Sequence, residues 1–240
     1  MNKKLVVITG ASAGIGKAIA VHFSRAGYPL LLIARRLAKL KELRLPNTYC
    51  AEVDVTDLSK FSAAIKKGEE KFGEVECLIN NAGVFFAEPF ETQDPQDWKK
   101  MVDVNILGIL NGMHLILNKM KERQTGTIFN ISSLAGRKTF PSGAVYCATK
   151  YAVHGLTESI REEMADHNVR VITIAPGNVK TEIWDQAVAE EKKHHYSAYQ
   201  RKPYENLDPE DIAKAILFAY EQPQNVCIRE MVICPTRQIV

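Results

Sequence analysis

Close to its start the chain runs Leu5-Val6-Val7-Ile8 straight into Thr9-Gly10-Ala11-Ser12-Ala13-Gly14-Ile15-Gly16, followed by an amphipathic pattern over 14–27. An unbroken apolar run of this length is the mark of a strand buried on both faces of a parallel sheet. Strand, glycine-rich turn and helix, in that order, present backbone amides and a helix N-terminus to a pyrophosphate. Gly10 is expected to allow the tight turn, Gly14 the close approach of a phosphate, and Gly16 the packing of helix on strand. A nucleoside-triphosphate loop of the form Gly-x-x-x-x-Gly-Lys-Ser/Thr does not fit, because position 11 is alanine and Ala18 follows Lys17.

The remainder alternates in the same way. Buried-type strands are expected at 4–9, 29–34, 48–53, 76–80, 126–132, 169–175 and 226–233, with helices near 14–27, 36–44, 57–72, 95–121, 144–167 and 208–221. Asp94-Pro95 and Asp208-Pro209 pair a capping residue with a first-turn proline, so each marks a helix start. Such alternation predicts an α/β fold: one doubly wound, Rossmann-type domain over 1–240, its seven-stranded parallel sheet flanked by helices. In that architecture ligands bind beyond the carboxyl ends of the strands, at the point where strand order reverses. Residues 181–206 follow the sixth strand without clear periodicity. They contain Trp184, Tyr196, Tyr199, Arg201, Lys202 and Tyr204, and a substrate lid is expected there.

Composition narrows the function classes. The 31 basic and 28 acidic residues are interspersed, for a net charge of +3, and no basic block suggests a nucleic-acid surface. Five cysteines without a Cys-x-x-Cys pair indicate neither a disulfide framework nor a zinc knuckle, so free thiols in a reducing cytoplasm are expected. The apolar start reads as a core strand rather than a signal peptide. No apolar run is expected to reach the roughly 18 residues of a membrane span. His194-His195 lacks the spacing and the third ligand of a metal site.

The chemistry is concentrated between Ser133 and Lys150. Tyr146 and Lys150 are four residues apart in a helical pattern and therefore share a face. A lysine cation beside a phenol favours the phenolate and is expected to lower the tyrosine's pKa. A serine delivered from the end of a strand would hold a carbonyl oxygen beside that phenol. Together they form a site that moves a proton on or off an alcohol oxygen. A buried-type asparagine, Asn105 in Val102-Asp103-Val104-Asn105, is unfavourable inside an apolar helix without a reason.

Thr9-Gly10-x-x-x-Gly14-x-Gly16, Asn80-Asn81-Ala82-Gly83, Asn105, Ser133, Tyr146-x-x-x-Lys150 and Pro176-Gly177, in this order and spacing, resemble the short-chain dehydrogenase/reductase family over nearly the whole chain. The resemblance implies a catalytic set of Asn105, Ser133, Tyr146 and Lys150. Ser133 and Tyr146 would meet the substrate oxygen, Lys150 would also hold the nicotinamide ribose, and Asn105 would hold a water linking Lys150 to solvent. Ser133 rather than Ser132 has the family's spacing to the tyrosine, and Thr149 stands where serine is more usual. Thr9, Gly10, Ser12, Ala13, Gly14, Ile15 and Gly16 would cradle the cofactor. Asp54 and Val55 would flank its adenine, Asn81, Ala82 and Gly83 a ribose, and Pro176, Gly177, Val179 and Thr181 the nicotinamide end.

Cofactor choice is readable in the residues themselves. A fold selecting NAD places an acid at the end of the second strand, to bind the ribose 2′-hydroxyl. Here Leu31-Leu32-Ile33-Ala34 ends in Arg35-Arg36, and guanidinium groups suit a 2′-phosphate. The alternative is a solvated arginine pair opening a helix. NADP(H) is the expected cofactor, and the substrate a small secondary alcohol or carbonyl compound. Arg137 and Lys138 are candidates for an anionic group on it. The ending Glu230 to Gln238 resembles the 3-hydroxy acid and serine dehydrogenase branch. Reduction of a carrier-protein 3-oxoacyl thioester, or cofactor binding without turnover, are the alternatives. The helices near 95–121 and 144–167 carry more apolar surface than one sheet face can cover, so a homodimer or homotetramer is expected.

Overall fold

In the computed structural model, residues 3–183 and 206–238 are described. Seven strands, β1 (Leu5–Thr9), β2 (Leu30–Ala34), β3 (Thr48–Glu52), β4 (Val75–Asn80), β5 (Gly126–Ile131), β6 (Val169–Pro176) and β7 (Glu230–Ile233), form one sheet. The order is β3-β2-β1-β4-β5-β6-β7, every pairing is parallel, and the chain reverses its direction of travel across the sheet between β1 and β4. Strand alternation assigns successive side chains to opposite cores. Leu5 and Val7 face one, with Phe61 and Ile65 of α3 (Leu58–Phe72) and Met113 and Ile116 of α5 (Gly108–Glu122). Val6 and Ile8 face the other, with Phe23 of α1 (Gly14–Arg25) and Ile212 and Ile216 of a C-terminal helix. Each such side chain, wholly removed from water, contributes about 1.5–3 kcal/mol.

The other helices among the described residues are α2 (Leu37–Lys41), α4 (Pro95–Val102), α6 (Ala144–Met164) and α7 (Pro209–Tyr220), the C-terminal helix named above. Both prolines stand at first-turn positions as expected, and Asp94 Oδ1 accepts from Gln96 N at 2.8 Å. Three elements depart from the sequence expectations. The helix expected over 36–44 stops at Lys41, because the chain turns at Leu43 and Arg44, the latter with φ 47°. The seventh strand begins at Glu230 rather than 226, since Val226 N is turned back to Pro223 O. Val226 O instead accepts from buried Arg170, whose guanidinium also gathers Ala219 O, Tyr220 O and Gln222 O at the end of α7.

The third departure is in the long helix. It is interrupted by a π-helical segment, Asp103–Leu107, closed by Gly108 N donating to Asp103 O. Taken as one piece, Pro95–Glu122 is long and apolar enough to cross a membrane, which corrects the expectation that no such run exists. In the fold Met101, Ile109, Met113, Ile116 and Met120 of this helix are buried against the rest of the chain, so its apolar character serves the core. All five cysteines are free thiols.

Candidate active site

A cavity of about 620 Å³ opens beyond the carboxyl ends of the strands, at the reversal between β1 and β4. It is lined by Gly10, Ser12, Ala13, Gly14 and Ile15 after β1, and by Arg35 and Arg36 after β2. Asp54 and Val55 line it after β3, and Asn81, Ala82 and Gly83 after β4. Ser133, Tyr146, Lys150, Pro176, Gly177, Val179 and Thr181 complete the set that the sequence places there. Thr9, Gly16 and Asn105 do not line the cavity; they lie in the layer that shapes it.

That layer is built of close contacts. Thr9 Oγ1 accepts from the amides of Asn81 and Ala82, both at 3.0 Å, and Asn81 Nδ2 donates to Thr9 O at 2.9 Å. The turn after β1 and the turn after β4 are thereby locked together. Gly10 has φ 66°, and a Cβ there would meet Ala82 Cα at 2.8 Å. A Cβ on Gly16 would meet Gly10 O at 2.4 Å, so α1 can approach the turn only through a glycine. No side chain caps the start of α1. Its free N–H groups therefore lie beside Ala13, Gly14 and Ile15 on the cavity wall.

The catalytic candidates converge at the other end. Ser133 follows β5 and opens a 3-10 turn, Leu134–Gly136, its Oγ accepting from Ala135 N at 3.1 Å. The same hydroxyl donates to Pro176 O at 3.5 Å and lines the cavity with Tyr146. Its neighbour Ser132 is buried and donates to Lys150 O at 3.0 Å, so the two serines have different partners. The Tyr146 ring lies 4.6 Å from that of Phe85, whose ring in turn meets Phe140 edge-on at 6.0 Å. Burial pushes the Tyr146 phenol up to about 12, with the Ser133 hydroxyl pulling the other way. The expected lowering by Lys150 is not found. The Lys150 ammonium lies 5.6 Å from the tyrosine ring centroid, donates to Ile131 O at 3.0 Å, and is itself held down at about 8 by burial. Desolvation outweighs the attraction of the neighbouring cation.

Asn105 is fully buried in the π-helical segment. Its Oδ1 accepts from Val84 N at 2.8 Å, while Nδ2 donates to Val84 O at 2.9 Å and to Thr149 Oγ1 at 3.1 Å. Thr149 Oγ1 donates onward to Tyr146 O at 2.7 Å. Both amide hydrogens are spent on protein, so the carboxamide braces the β4 turn against the Tyr146–Lys150 helix.

At the far end Arg36 donates to Ser12 Oγ through Nε (3.3 Å) and Nη2 (3.1 Å), and its Nη1 meets Glu182 Oε2 at 2.9 Å. Arg35 is exposed. Asp54 Oδ1 accepts from Thr56 N and Thr56 Oγ1, which fixes the turn after β3. Arg137 and Lys138 part company: Arg137 pairs with Glu230, whereas Lys138 lines the cavity. Glu182, Phe85 and Gln238 are cavity residues that sequence reasoning missed. Gln238 Oε1 accepts from Asn178 N at 2.9 Å, closing the loop after β6 with a residue 60 positions further along the chain. A residue brought in over that distance leaves no local signal. The expected lid residues Trp184, Tyr196, Tyr199, Arg201, Lys202 and Tyr204, with His194 and His195, lie outside the described residues. Among the described residues no cluster of His, Cys, Asp or Glu is arranged to hold a metal ion.

Residues 4–192 match the short chain dehydrogenase family. An uncharacterized oxidoreductase of Staphylococcus saprophyticus is 37% identical over 241 residues, covering 98% of this chain and 97% of that protein. An uncharacterized oxidoreductase of Listeria monocytogenes is 34% identical, covering 99% and 98%. Among solved structures, the closed form of serine dehydrogenase complexed with NADP+ superimposes with a TM-score of 0.92 at 30% identity, covering 98% of this chain and 96% of that one. An alcohol dehydrogenase from the archaeon Thermococcus sibiricus, complexed with 5-hydroxy-NADP, gives 0.86 at 28% identity, covering 99% of each chain.

Proposed function

Because this chain belongs to the short-chain dehydrogenase family, we propose that it is an NADP(H)-dependent oxidoreductase acting between a secondary alcohol and its carbonyl form, with a small 3-hydroxy acid as substrate. The observation that carries this reading is the meeting of Ser133, Tyr146 and Lys150 on one cavity whose other end is a glycine turn and an uncapped helix N-terminus. The cofactor fits that cleft by the chemistry of its walls. Free helix amides and positive-φ glycines suit the pyrophosphate, and Ser12 with Arg36 suits a 2′-phosphate. When bound, the nicotinamide supplies or accepts the hydride.

The protein's own part is to hold the substrate oxygen and handle one proton. Ser133 Oγ and the Tyr146 hydroxyl, which line the same cavity, would present two donors to a carbonyl oxygen placed between them, Ser133 turning its hydrogen from Pro176 O. A phenol at about 12 stays protonated at neutral pH and gives its proton as negative charge develops on that oxygen. Lys150, anchored on Ile131 O, keeps a positive charge beneath the site and would hold the ribose hydroxyls of the bound cofactor. Phe85 and Phe140 exclude water from the phenol. Lys138 stands on the wall of the same cavity, without an ion-pair partner among the described residues, which favours a substrate carboxylate. Apolar side chains left exposed on α4, α5 and α6 favour a homo-oligomer, and the free thiols suit a reducing cytoplasm.

The test is a screen following NADPH absorbance against 3-hydroxy acids, serine, diketones and 3-oxoacyl thioesters, in both directions. Turnover of 3-hydroxy acids with NADP+, lost in Lys138→Ala, is the expected result. Preference for carrier-protein thioesters replaces the substrate assignment, and absence of any turnover removes the catalytic one.

A further inference from the structure

Glu182 belongs to the segment leaving β6, yet its carboxylate ends at the mouth of the cleft between Arg36 of the β2–α2 connection and Lys39 of α2. Oε2 meets Arg36 Nη1 at 2.9 Å, and Oε1 meets Lys39 Nζ at 3.4 Å. Ser12 Oγ takes the other two nitrogens of the same guanidinium, so Arg36 is held as a fork with its remaining edge on Glu182. Two oxygens of one anion thus bridge the only described basic residues that Glu182 touches, and Arg35, Arg36 and Glu182 all line the cavity.

We propose that Glu182 is a built-in stand-in for the cofactor's 2′-phosphate, holding Arg36 and Lys39 until that group displaces it. The proposal rests on the NADP(H) reading above and goes beyond it by assigning an acid to the phosphate subsite. Arg36, Lys39 and Glu182 side chains are 40%, 45% and 45% exposed, so the bridge is solvated and can exchange. Its strength is correspondingly modest, since exposed pairs of this kind are each worth a factor of about two to five in an equilibrium constant. Arg36 and Lys39 also favour the ionised carboxylate, and hold the Glu182 carboxyl below its usual range. A phosphate monoester carries up to about twice the charge of a carboxylate and three acceptor oxygens, so it wins the exchange. A 2′-hydroxyl does not compete for the cations. Glu182 therefore taxes the phosphorylated cofactor selectively and lowers the discrimination that Arg36 would otherwise give.

The test is fluorescence titration of wild type and Glu182→Gln with NADPH and NADH, and competition by adenosine 2′-monophosphate and adenosine 5′-monophosphate. The expected result is about three- to tenfold tighter binding of NADPH and of the 2′-monophosphate by the variant, with NADH and the 5′-monophosphate shifted less than twofold. Unchanged NADPH affinity overturns the proposal. Weaker NADPH binding also overturns it, and assigns Glu182 to orienting Arg36. If wild type fails to prefer NADPH but the variant does, the stand-in role holds and the cofactor preference of the native enzyme is what fails. If neither protein distinguishes the two cofactors, both readings fall.

Discussion

Tyr146 and Lys150 sit one helical turn apart, and burial moves their titrations away from each other, the phenol up to about 12 and the ammonium down to about 8. Such a pair keeps a proton on tyrosine throughout the neutral range and loses the lysine's charge first as pH rises. Carbonyl reduction is therefore expected to fall as pH passes through about 8, while alcohol oxidation, which needs the phenolate, rises toward alkaline pH. Initial rates in both directions between pH 6 and 10 check the sign; a reduction rate still flat at pH 10 removes lysine from that role. Tyr146→Phe is expected to abolish turnover while NADPH binding stays within a few-fold, because the hydroxyl supplies the proton and little cofactor affinity. Turnover within tenfold of wild type, measured in the same assay, would sink the mechanism. Asn105 shows the limit of reading a residue by type: an amide in an apolar helix demanded an explanation, but Val84 and Thr149 as its partners were invisible in the chain.

At the scale of elements, glycines set how closely helices meet the sheet. Gly112 of α5 lies over Asn80 of β4, and a Cβ there would meet Asn80 Oδ1 at 2.5 Å and Leu78 Cδ2 at 3.2 Å. Asn80 cannot swing away freely, since its Nδ2 donates to Asn130 Oδ1 at 2.9 Å within the buried ladder. Alanine is ordinarily about 1 kcal/mol better than glycine inside a helix. At Gly112 that gain is offset by overpacking of about 1–3 kcal/mol, so Gly112→Ala is expected to lower stability by up to about 2 kcal/mol. Chemical denaturation that shows stabilisation instead would mean that α5 can lift from the sheet without loss. The π-helical segment is decided at the same scale. Gly108 presses on Val55, where a Cβ would lie 2.6 Å from Cγ2, and Asn105 is drawn toward Val84. Accommodating both contacts with one extra residue in the turn is a property of packing, which periodicity does not record.

For the molecule as a whole, the surplus apolar surface is now located. Val102, Leu107 and Leu110 are 43%, 41% and 37% exposed along α4 and α5, and Tyr151 of α6 is 44% exposed. Beside Tyr151, a Cβ on Gly155 would meet nothing within 4 Å, so α6 offers an open face with small residues where a second helix can approach. A self-complementary pairing across these helices is expected. Light scattering at micromolar concentration should give at least twice the 26.9 kDa chain mass, and Leu107→Glu with Leu110→Glu should halve the observed mass. A fully active wild-type monomer would show that these side chains are merely exposed.

What the amino-acid sequence determined by itself was whatever depends on local spacing. Apolar runs and glycines defined the parallel strands and the turn after β1, because a buried strand and a positive-φ turn each restrict the residues allowed at that place. Tyr146 and Lys150 shared a face by helical geometry alone, and Arg35-Arg36 declared the charge at the end of β2. The tertiary structure decided what depends on contacts between distant segments. It placed Ser133, Pro176 and Tyr146 together and gave Ser132 a different partner. It brought Gln238 from the C-terminal end to Asn178 and Glu182 across to Arg36. It also reversed the expected shift of Tyr146, since a neighbour's charge is legible from spacing whereas desolvation depends on everything packed around the group.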